Sequence, residues 1–256
     1  MARSGTTLLR LMLDAHPELA IPPETHFIPK LAKALGEVPK SVGEDELRRR
    51  AHELITQHRR WPDFGLDADE LDRRFDHAQP FNATTALRAF YGLYAEKRGK
   101  PRWGDKSPSY VRRMRRVHAV LPEARFVHVI RDGRDTLAAK PGEIDVGSAL
   151  ATGQRWHKKV RSARVQEHMM DHYLEVRYEE LVADTEATLR TVCEFLDLGY
   201  EPAMLTPADR APIEAELGPV GGWRERLAPD QLEAFEEVGG EMLAELGYAR
   251  EPAVAS

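Results

Sequence analysis

The first predicted element is a helix over residues 6–15. Five positions between 8 and 13 are apolar, and they cover nearly the whole circumference of a helical turn. Such a helix is usually buried on most of its sides. His16-Pro17 ends the pattern, because the residue before a proline is pushed out of helical geometry. After a turn at Pro22-Pro23, a second, short helix is predicted over residues 26–35.

Residues 40–99 carry a charged pattern with helical spacing and no strand-like alternation. Helices are predicted over residues 45–58 and 68–76. Asn82 is predicted to be the N-cap of a third helix that runs to Tyr94, because its short side chain accepts hydrogen bonds from free backbone N–H groups. We interpret this stretch as a helical insert or lid.

Two short runs rich in β-branched residues predict strands over residues 125–130 and 173–178. A helix over residues 109–121 precedes the first strand, and helices over 185–196 and 229–246 follow the second. Strands that are separated by helices favour a parallel sheet covered on both faces.

Net charge and cysteine content limit the possible partners. The net charge of −5 argues against a broad nucleic-acid surface, which normally makes a domain basic. The single cysteine, Cys193, lies in an apolar helical pattern, so we predict a core residue in a reducing compartment.

No apolar run reaches the roughly 20 residues of a membrane span, and no signal segment opens the chain. A cytoplasmic location is the resulting expectation.

The segment from Arg3 to Thr7 opens directly onto the first predicted helix. Small and hydroxyl residues at a helix start leave backbone N–H groups free to bind an anion, and Arg3 adds a positive charge. The residues alone leave two interpretations open: an anion-binding loop, or a helix capped by Ser4 or Thr6. No lysine follows Gly5 before the helix, so the nucleotide-triphosphatase loop motif is absent.

Two further candidates for an anion site lie at the ends of the predicted strands. Arg131 follows the first strand, and parallel sheets bind ligands at the carboxyl ends of their strands. A surface ion pair with Asp135 is the alternative. Tyr178 ends the second strand and is suited either to flank a planar ring or to cap the core.

Tight polar turns supply the remaining candidates. Lys106 lies in a compact run of Gly, Asp, Ser and Pro, which favours a positioned lysine over a merely solvated one. Residues 219–224 contain two glycines, a cation and an aromatic ring. They suit the close approach of the backbone to a ligand, with a plain surface turn as the alternative.

Taken together, six motifs resemble the sulfotransferase superfamily, specifically its bacterial branch related to tyrosylprotein sulfotransferases. The resemblance spans nearly the whole chain, and the order and spacing of the motifs carry it. The motifs are RSGTTLLR (3–10), PPETHF (22–27), WGDKSP (103–108), RDGRDTLA (131–138), RYEEL (177–181) and GGWR (221–224).

The resemblance implies a co-substrate, 3′-phosphoadenosine 5′-phosphosulfate, and a product, 3′,5′-adenosine bisphosphate. By this likeness Arg131 holds the 3′-phosphate and Tyr178 contacts the adenine. A turn of three residues, Gly221, Gly222 and Trp223, closes over the nucleotide. The 5′-phosphosulfate is held by Arg3, Ser4, Gly5, Thr6 and Thr7.

The resemblance also implies the catalytic groups. Glu24 matches the family's catalytic acidic residue, and Lys106 matches its transition-state lysine. A carboxylate is suited to take the proton of an attacking hydroxyl or amine, and cations stabilise the charge that develops in an in-line displacement at sulfur. His26 is expected either to assist the base or to be an ordinary core or surface histidine. No metal is required.

The fold class that follows is α/β: a P-loop-like parallel sheet flanked by helices, with a helical insert. We predict a single domain over residues 1–250 and a flexible tail over residues 251–256. A nucleoside or small-molecule kinase and a non-catalytic nucleotide-binding protein are the alternative functions.

The sequence departs from the family pattern at three places. Only Met1 and Ala2 precede Arg3, where the family has a strand, so we expect the natural protein to start upstream with a short apolar strand. Ala139 stands where a serine often touches the 3′-phosphate. His26 stands where the tyrosylprotein relatives carry arginine.

The acceptor stays open at the level of sequence. A small molecule, a carbohydrate, a lipid, a natural product and a peptide tyrosine are all candidates. The 40–99 stretch is expected to shape the acceptor pocket, because it lies outside the donor motifs. Four residues there either line the pocket or solvate a helix end: Arg59, Arg60, Trp61 and Phe64.

Overall fold

The described chain is a helix-rich α/β structure with two small parallel sheets. This computed structural model describes residues 3–39, 41–207 and 210–248. Met1, Ala2 and the predicted tail lie outside these ranges. None of the helices in these ranges is long and apolar enough to cross a bilayer.

The N-terminal half contains the predicted helices in the predicted order. It begins with α1 (Thr6–Asp14), β1 (Leu19–Ala20) and α2 (Ile28–Gly36), and continues with α3 (Glu44–Thr56), α4 (Trp61–Phe64), α5 (Ala68–His77) and α6 (Ala83–Glu96). Asn82 caps α6 as predicted, because its side chain accepts from the backbone N–H groups of Thr84 and Thr85.

The second half carries the predicted strands. Its elements are β2 (Arg102–Trp103), a 3-10 turn (Pro108–Arg112), α7 (Met114–Val120), β3 (Phe126–Ile130), α8 (Gly133–Ala138), α9 (Val146–Glu167), β4 (Tyr173–Arg177), α10 (Tyr178–Ala183) and α11 (Thr185–Phe195). A second 3-10 turn (Pro202–Leu205), α12 (Arg210–Leu217), α13 (Trp223–Arg226) and α14 (Pro229–Glu245) follow.

The two predicted strands pair in parallel, with Phe126 opposite Tyr173 and Ile130 opposite Arg177. Alternate residues of a strand point to opposite sides of the sheet, and helices cover both sides of this pair. Val129 packs into a hydrophobic cluster with α1 and α11, whereas Ile130 packs into another with α9 and α14. The prediction of a parallel pair covered on both faces is therefore confirmed.

Two details of the predicted elements are wrong. The helix expected over residues 109–121 is broken between the first 3-10 turn and α7, because Arg113 has φ −140° and ψ 24°. Tyr178 is the first residue of α10 rather than the last residue of a strand. The β1–β2 sheet was also missed, since two-residue strands are too short to carry an alternation pattern.

The helices of the 40–99 stretch share one hydrophobic cluster with α2 and α7. Phe27, Phe64 and Phe90 meet edge to face at its centre, with ring centroids 4.9 to 6.4 Å apart. The helical part of the prediction is confirmed, and the lid stays a prediction. Cys193 is 1% exposed and contacts the Met204 sulfur, so it is the core residue that its pattern predicted.

Candidate active site

The loop before α1 is built around Gly5. This residue is the N-cap, it has φ 83°, and no side chain caps the helix. The alternative prediction, a helix capped by the side chain of Ser4 or Thr6, is therefore wrong. A Cβ atom on Gly5 would lie 2.3 Å from Cδ2 of Tyr178, so only glycine fits between the loop and this ring.

Arg131 ties the loop to the segment after α12. Its guanidinium donates to the carbonyl oxygen of Arg3 at 3.2 Å and to that of Leu217 at 2.9 Å. It also lies 4.5 Å from the centre of the Tyr178 ring. Arg131 is only 1% exposed, and its Nε is buried with no hydrogen-bond partner among the described residues.

Asp135 holds the glycine-containing turn against the end of β3. Its carboxylate accepts from the backbone N–H groups of Gly221 at 2.8 Å and Trp223 at 3.1 Å. Asp135 lies 3.9 Å from Arg131, and both side chains are 1% exposed. The alternative of a surface ion pair is thus wrong, because both charges are buried next to the loop.

A second group of side chains surrounds Glu24. Lys106 Nζ lies 2.5 Å from Glu24 Oε1, and His26 Nε2 lies 2.8 Å from Glu24 Oε2. Lys106 also donates to the Thr7 hydroxyl at 3.1 Å. His26 has φ 55°, a region that non-glycine residues seldom adopt outside constrained sites. One lysine therefore connects the carboxylate to the first turn of α1.

The electrostatics of this group favour an ion pair. Burial raises the pKa of Glu24, but the hydrogen bond and charge of Lys106, together with the charges of His26 and Arg60, outweigh that effect and hold it below its usual value. Burial lowers the pKa of Lys106, against the opposing influence of Glu24. Glu24 is therefore held as a carboxylate next to the Lys106 ammonium group.

A buried polar network supports the segment that carries Glu24, and sequence reasoning missed it. The Thr25 hydroxyl donates to Asp105 Oδ2 at 2.6 Å, and Tyr91 donates to the same oxygen at 2.8 Å. The Tyr110 hydroxyl lies 3.2 Å from Thr25 Oγ1 and accepts from the backbone N–H of Ile28. Asp105 is adjacent to Lys106 in the sequence, and this was the one feature of the sequence that pointed to the network.

Positive groups lie around His58. Burial lowers the pKa of His58, and nearby positive charges lower it further. The charges come from Lys30, His26, Arg59 and Arg60. Arg60 Nε is buried with no hydrogen-bond partner among the described residues.

Phe64, in contrast, is fully buried in the aromatic cluster. Phe64 packs against Phe27, three residues after Glu24, and does not line a surface pocket. No three His, Cys, Asp or Glu side chains within the described ranges are arranged to hold a metal ion.

The predicted residues thus form two groups joined by one contact. The loop, Arg131, Tyr178 and the turn at 221–223 form one group, and Glu24, His26 and Lys106 form the other. The bond from Lys106 to Thr7 joins them. Their roles toward a ligand stay predictions.

Comparison with known sequences gives a family match over most of the chain. The sequence model of the sulfotransferase family matches residues 1–202. Protein-tyrosine sulfotransferase 1 of Danio rerio is 26% identical over 212 residues, which cover 79% of this chain and 53% of the relative. The protein-tyrosine sulfotransferase of Drosophila melanogaster is 27% identical over 215 residues, covering 79% and 38%. The chain spans about half the length, or less, of these two relatives.

Comparison with solved structures gives the fold. The sulfotransferase domain from the curacin biosynthetic pathway superposes with a TM-score of 0.61 and 20% identity, over 98% of this chain and 96% of that domain. The sulfotransferase domain of the Synechococcus PCC 7002 olefin synthase gives 0.58 and 22%, over 98% and 92%. At these identities the likeness establishes a shared fold.

Proposed function

Since this chain belongs to the sulfotransferase family, we propose that it moves a sulfuryl group from 3′-phosphoadenosine 5′-phosphosulfate to a hydroxyl or amine acceptor. The observation that carries the proposal is the position of Lys106, which donates to both Glu24 and Thr7. A single ammonium group therefore contacts the candidate base and the helix start where the donor is expected to bind.

Several features support the donor assignment. The N–H groups at the start of α1 have no side-chain cap, and such groups bind phosphate and sulfate oxygens. Arg3, Ser4, Gly5, Thr6 and Thr7 are proposed for the 5′-phosphosulfate. Arg131 is proposed for the 3′-phosphate, and its buried, unpartnered Nε fits this role, because a phosphate oxygen would accept from it.

The adenine end is proposed to lie between Tyr178 and the turn at 221–223. The Arg131 guanidinium already lies over the Tyr178 ring, so the groups proposed for the base and for the 3′-phosphate are neighbours. Asp135 holds the turn in place by accepting hydrogen bonds from the backbone N–H groups of Gly221 and Trp223. We propose that this turn covers the bound nucleotide.

In the proposed reaction the hydroxyl oxygen or amine nitrogen of the acceptor attacks the sulfur atom, in line with the phosphate oxygen that leaves. Glu24 takes up the proton that the attacking group loses. The donor supplies the activated sulfuryl group. The lowered pKa of Glu24 keeps its carboxylate ionised at neutral pH. Lys106 and Arg3 stabilise the negative charge that develops on the transferring and leaving oxygens, and His26 orients the carboxylate through its second oxygen.

The acceptor is proposed to approach Glu24 from the side of His58 and Arg60. Positive charge there stabilises an acceptor oxygen that is losing its proton. The relatives named above are protein-tyrosine sulfotransferases, so a peptide tyrosine is the first acceptor to test. Mass spectrometry of peptide, carbohydrate, lipid and small-molecule acceptors incubated with the donor would identify it by the sulfuryl mass increment.

The donor proposal is tested by calorimetry with 3′,5′-adenosine bisphosphate. We expect one binding site and no competition by ATP. Arg131→Lys keeps the charge but loses the forked donors, so affinity should fall by about tenfold or more. Arg88→Lys, on the exposed face of α6, is the control. A folded chain that binds no bisphosphate, or that turns over ATP, would contradict the proposal.

The base is tested separately by Glu24→Gln. Loss of general-base catalysis should lower kcat by about 10²- to 10⁴-fold, while affinity for the bisphosphate stays close to that of the wild type. Glu237→Gln, an exposed change on α14, is the matched control. Transfer that continues at the wild-type rate in Glu24→Gln would remove Glu24 from its proposed role.

A further inference from the structure

A strongly basic groove lies outside the candidate site. It has a volume of about 900 Å³ and runs between the first 3-10 turn, α7 and α9. Six cations line it: Arg112, Arg113, Arg115, Arg116, Lys158 and Arg161. The chain as a whole is acidic, with a net charge of −5, so this concentration of positive charge is local.

These cations are largely unpaired. Across the ranges that the structure describes, Arg116 makes the one ion pair of this set, with Glu37 at 3.8 Å. Residues 108–122 contain no acidic side chain, and α9 contains only Glu167. Like charges that crowd a groove without counter-ions repel one another, so the groove is suited to an anionic partner.

Exposed apolar side chains border the same groove. Val165 lies in its wall and is 57% exposed, and Met169, two residues beyond the end of α9, is 41% exposed. Lys158, Arg161 and Val165 fall at helical spacing on one face of α9. Together with Val146 and Val220, Val165 and Met169 are the large hydrophobic residues found exposed among the described residues.

We propose that this groove is a docking surface for an anionic phospholipid bilayer. Cations attract the phosphate headgroups, and nearby apolar side chains insert among the acyl chains; the strength of peripheral membrane binding increases with both. An acidic polypeptide would satisfy the cations but would leave the exposure of Val165 and Met169 unexplained. Lys158 and Val165 lie about 10 Å apart along α9, and Met169 follows just beyond the end of that helix.

Docking through this groove would orient the candidate site. Ser109 lies one 3-10 turn before Arg112, and its hydroxyl is 3.3 Å from His26 Nδ1. The Glu24–His26 pair therefore lies close to the lipid surface in the docked molecule. The docking itself does not depend on the proposed sulfuryl transfer.

The test is flotation of the full chain with vesicles of equal parts phosphatidylglycerol and phosphatidylcholine, compared with phosphatidylcholine alone. We expect binding to the anionic vesicles only. The triple variant Arg115→Gln, Lys158→Gln, Arg161→Gln should bind about a hundredfold more weakly, at about fivefold per cation. Its matched control, Arg73→Gln, Arg88→Gln, Arg190→Gln, removes the same charge from other faces and should retain binding.

A second pair of variants protects the result against misfolding and tests the apolar part. Arg112→Gln with Arg113→Gln changes the same groove at other exposed positions and should weaken binding about twentyfold. Val165→Ser with Met169→Ser should weaken it about tenfold. Calorimetry with the bisphosphate on each variant separates a docking defect from a defect in the donor site.

Three outcomes would overturn the proposal. The first is absence of binding to anionic vesicles. The second is an equal loss of binding in the two triple variants, which would reduce the effect to net charge. The third is tight binding of soluble polyglutamate with no effect of the Val165 and Met169 changes, which would make the partner an acidic polypeptide.

Discussion

At the scale of the residue, Asp105 is a carboxyl group whose pKa is changed by its surroundings. Burial raises its pKa, although hydrogen bonds from Thr25 and Tyr91 oppose the shift. Its Oδ1 is buried with no hydrogen-bond partner among the described residues. Because Thr25 directly follows Glu24, Asp105 fixes the backbone that presents the candidate base.

The raised pKa of Asp105 predicts a pH dependence of stability. Between the ordinary value of 3.8 and the raised folded-state value, the folded chain binds its proton more tightly than the unfolded chain. The free energy of unfolding therefore falls as the pH rises through this window, by about 1.4 kcal/mol per pH unit. Below the window this contribution is fully present.

Asp105→Asn tests this dependence, since the amide does not titrate. The stability of the variant relative to the wild type should rise with pH across the window, as measured by urea unfolding from acidic to neutral pH. Asp76→Asn, an exposed change on α5, is the control for replacing a carboxyl group with an amide. A stability difference for Asp105→Asn that does not change with pH would refute the assignment.

At the scale of the element, the start of α1 is locked against the junction of β4 and α10. Gly5 and Tyr178 form the contact, and there is no room for a Cβ between them. The Arg131 guanidinium holds the other side of the Tyr178 ring. The geometry of the loop therefore depends on an element more than 170 residues away in sequence.

Substituting this glycine separates steric from conformational effects. Gly5→Ala should cost more stability than Gly65→Ala, because Gly65 also has a positive φ, 63°, but no described atom lies within 4 Å of its Cβ position. The conformational cost alone is about 1–2 kcal/mol. Gly5→Ala should also weaken bisphosphate binding, whereas Gly65→Ala should not. Thermal melts and calorimetry measure both effects, and equal losses in the two variants would contradict the contact.

At the scale of the whole molecule, the two sides of the candidate site rest on different hydrophobic clusters. Phe27, three residues after Glu24, packs on Phe90 with ring centroids 4.9 Å apart. On the other side, Phe235 packs against Gly133 and Trp156, beneath the segment that carries Arg131. Damage to one cluster should therefore affect one side of the site first.

A matched pair of core variants tests this division. Phe90→Leu and Phe235→Leu should each lower the free energy of unfolding by about 1 kcal/mol. Phe235→Leu should weaken bisphosphate binding, while Phe90→Leu should mainly lower kcat. Unfolding curves, calorimetry and turnover give the three quantities. Equal effects of both variants on bisphosphate affinity would mean that the clusters act as one.

Local patterns in the sequence were sufficient to predict several helices, strands and caps. The apolar run of α1, the β-branched runs of β3 and β4 and the Asn82 cap were identified correctly, because helices, strands and caps are set by neighbours a few residues apart. The six motifs also indicated the family. The break at Arg113 and the two-residue strands escaped, since packing rather than local pattern decides them.

Which chemical groups come into contact depends instead on how distant segments pack in three dimensions. The contact of Lys106 with Thr7 spans 99 positions, and that of Tyr91 with Asp105 joins α6 to a loop. The burial of Arg131 and the basic groove beside α9 also arise when distant segments pack together. Hydrogen bonds and charges act over a few ångströms in space, whatever the separation in sequence, so no local pattern encodes these pairings.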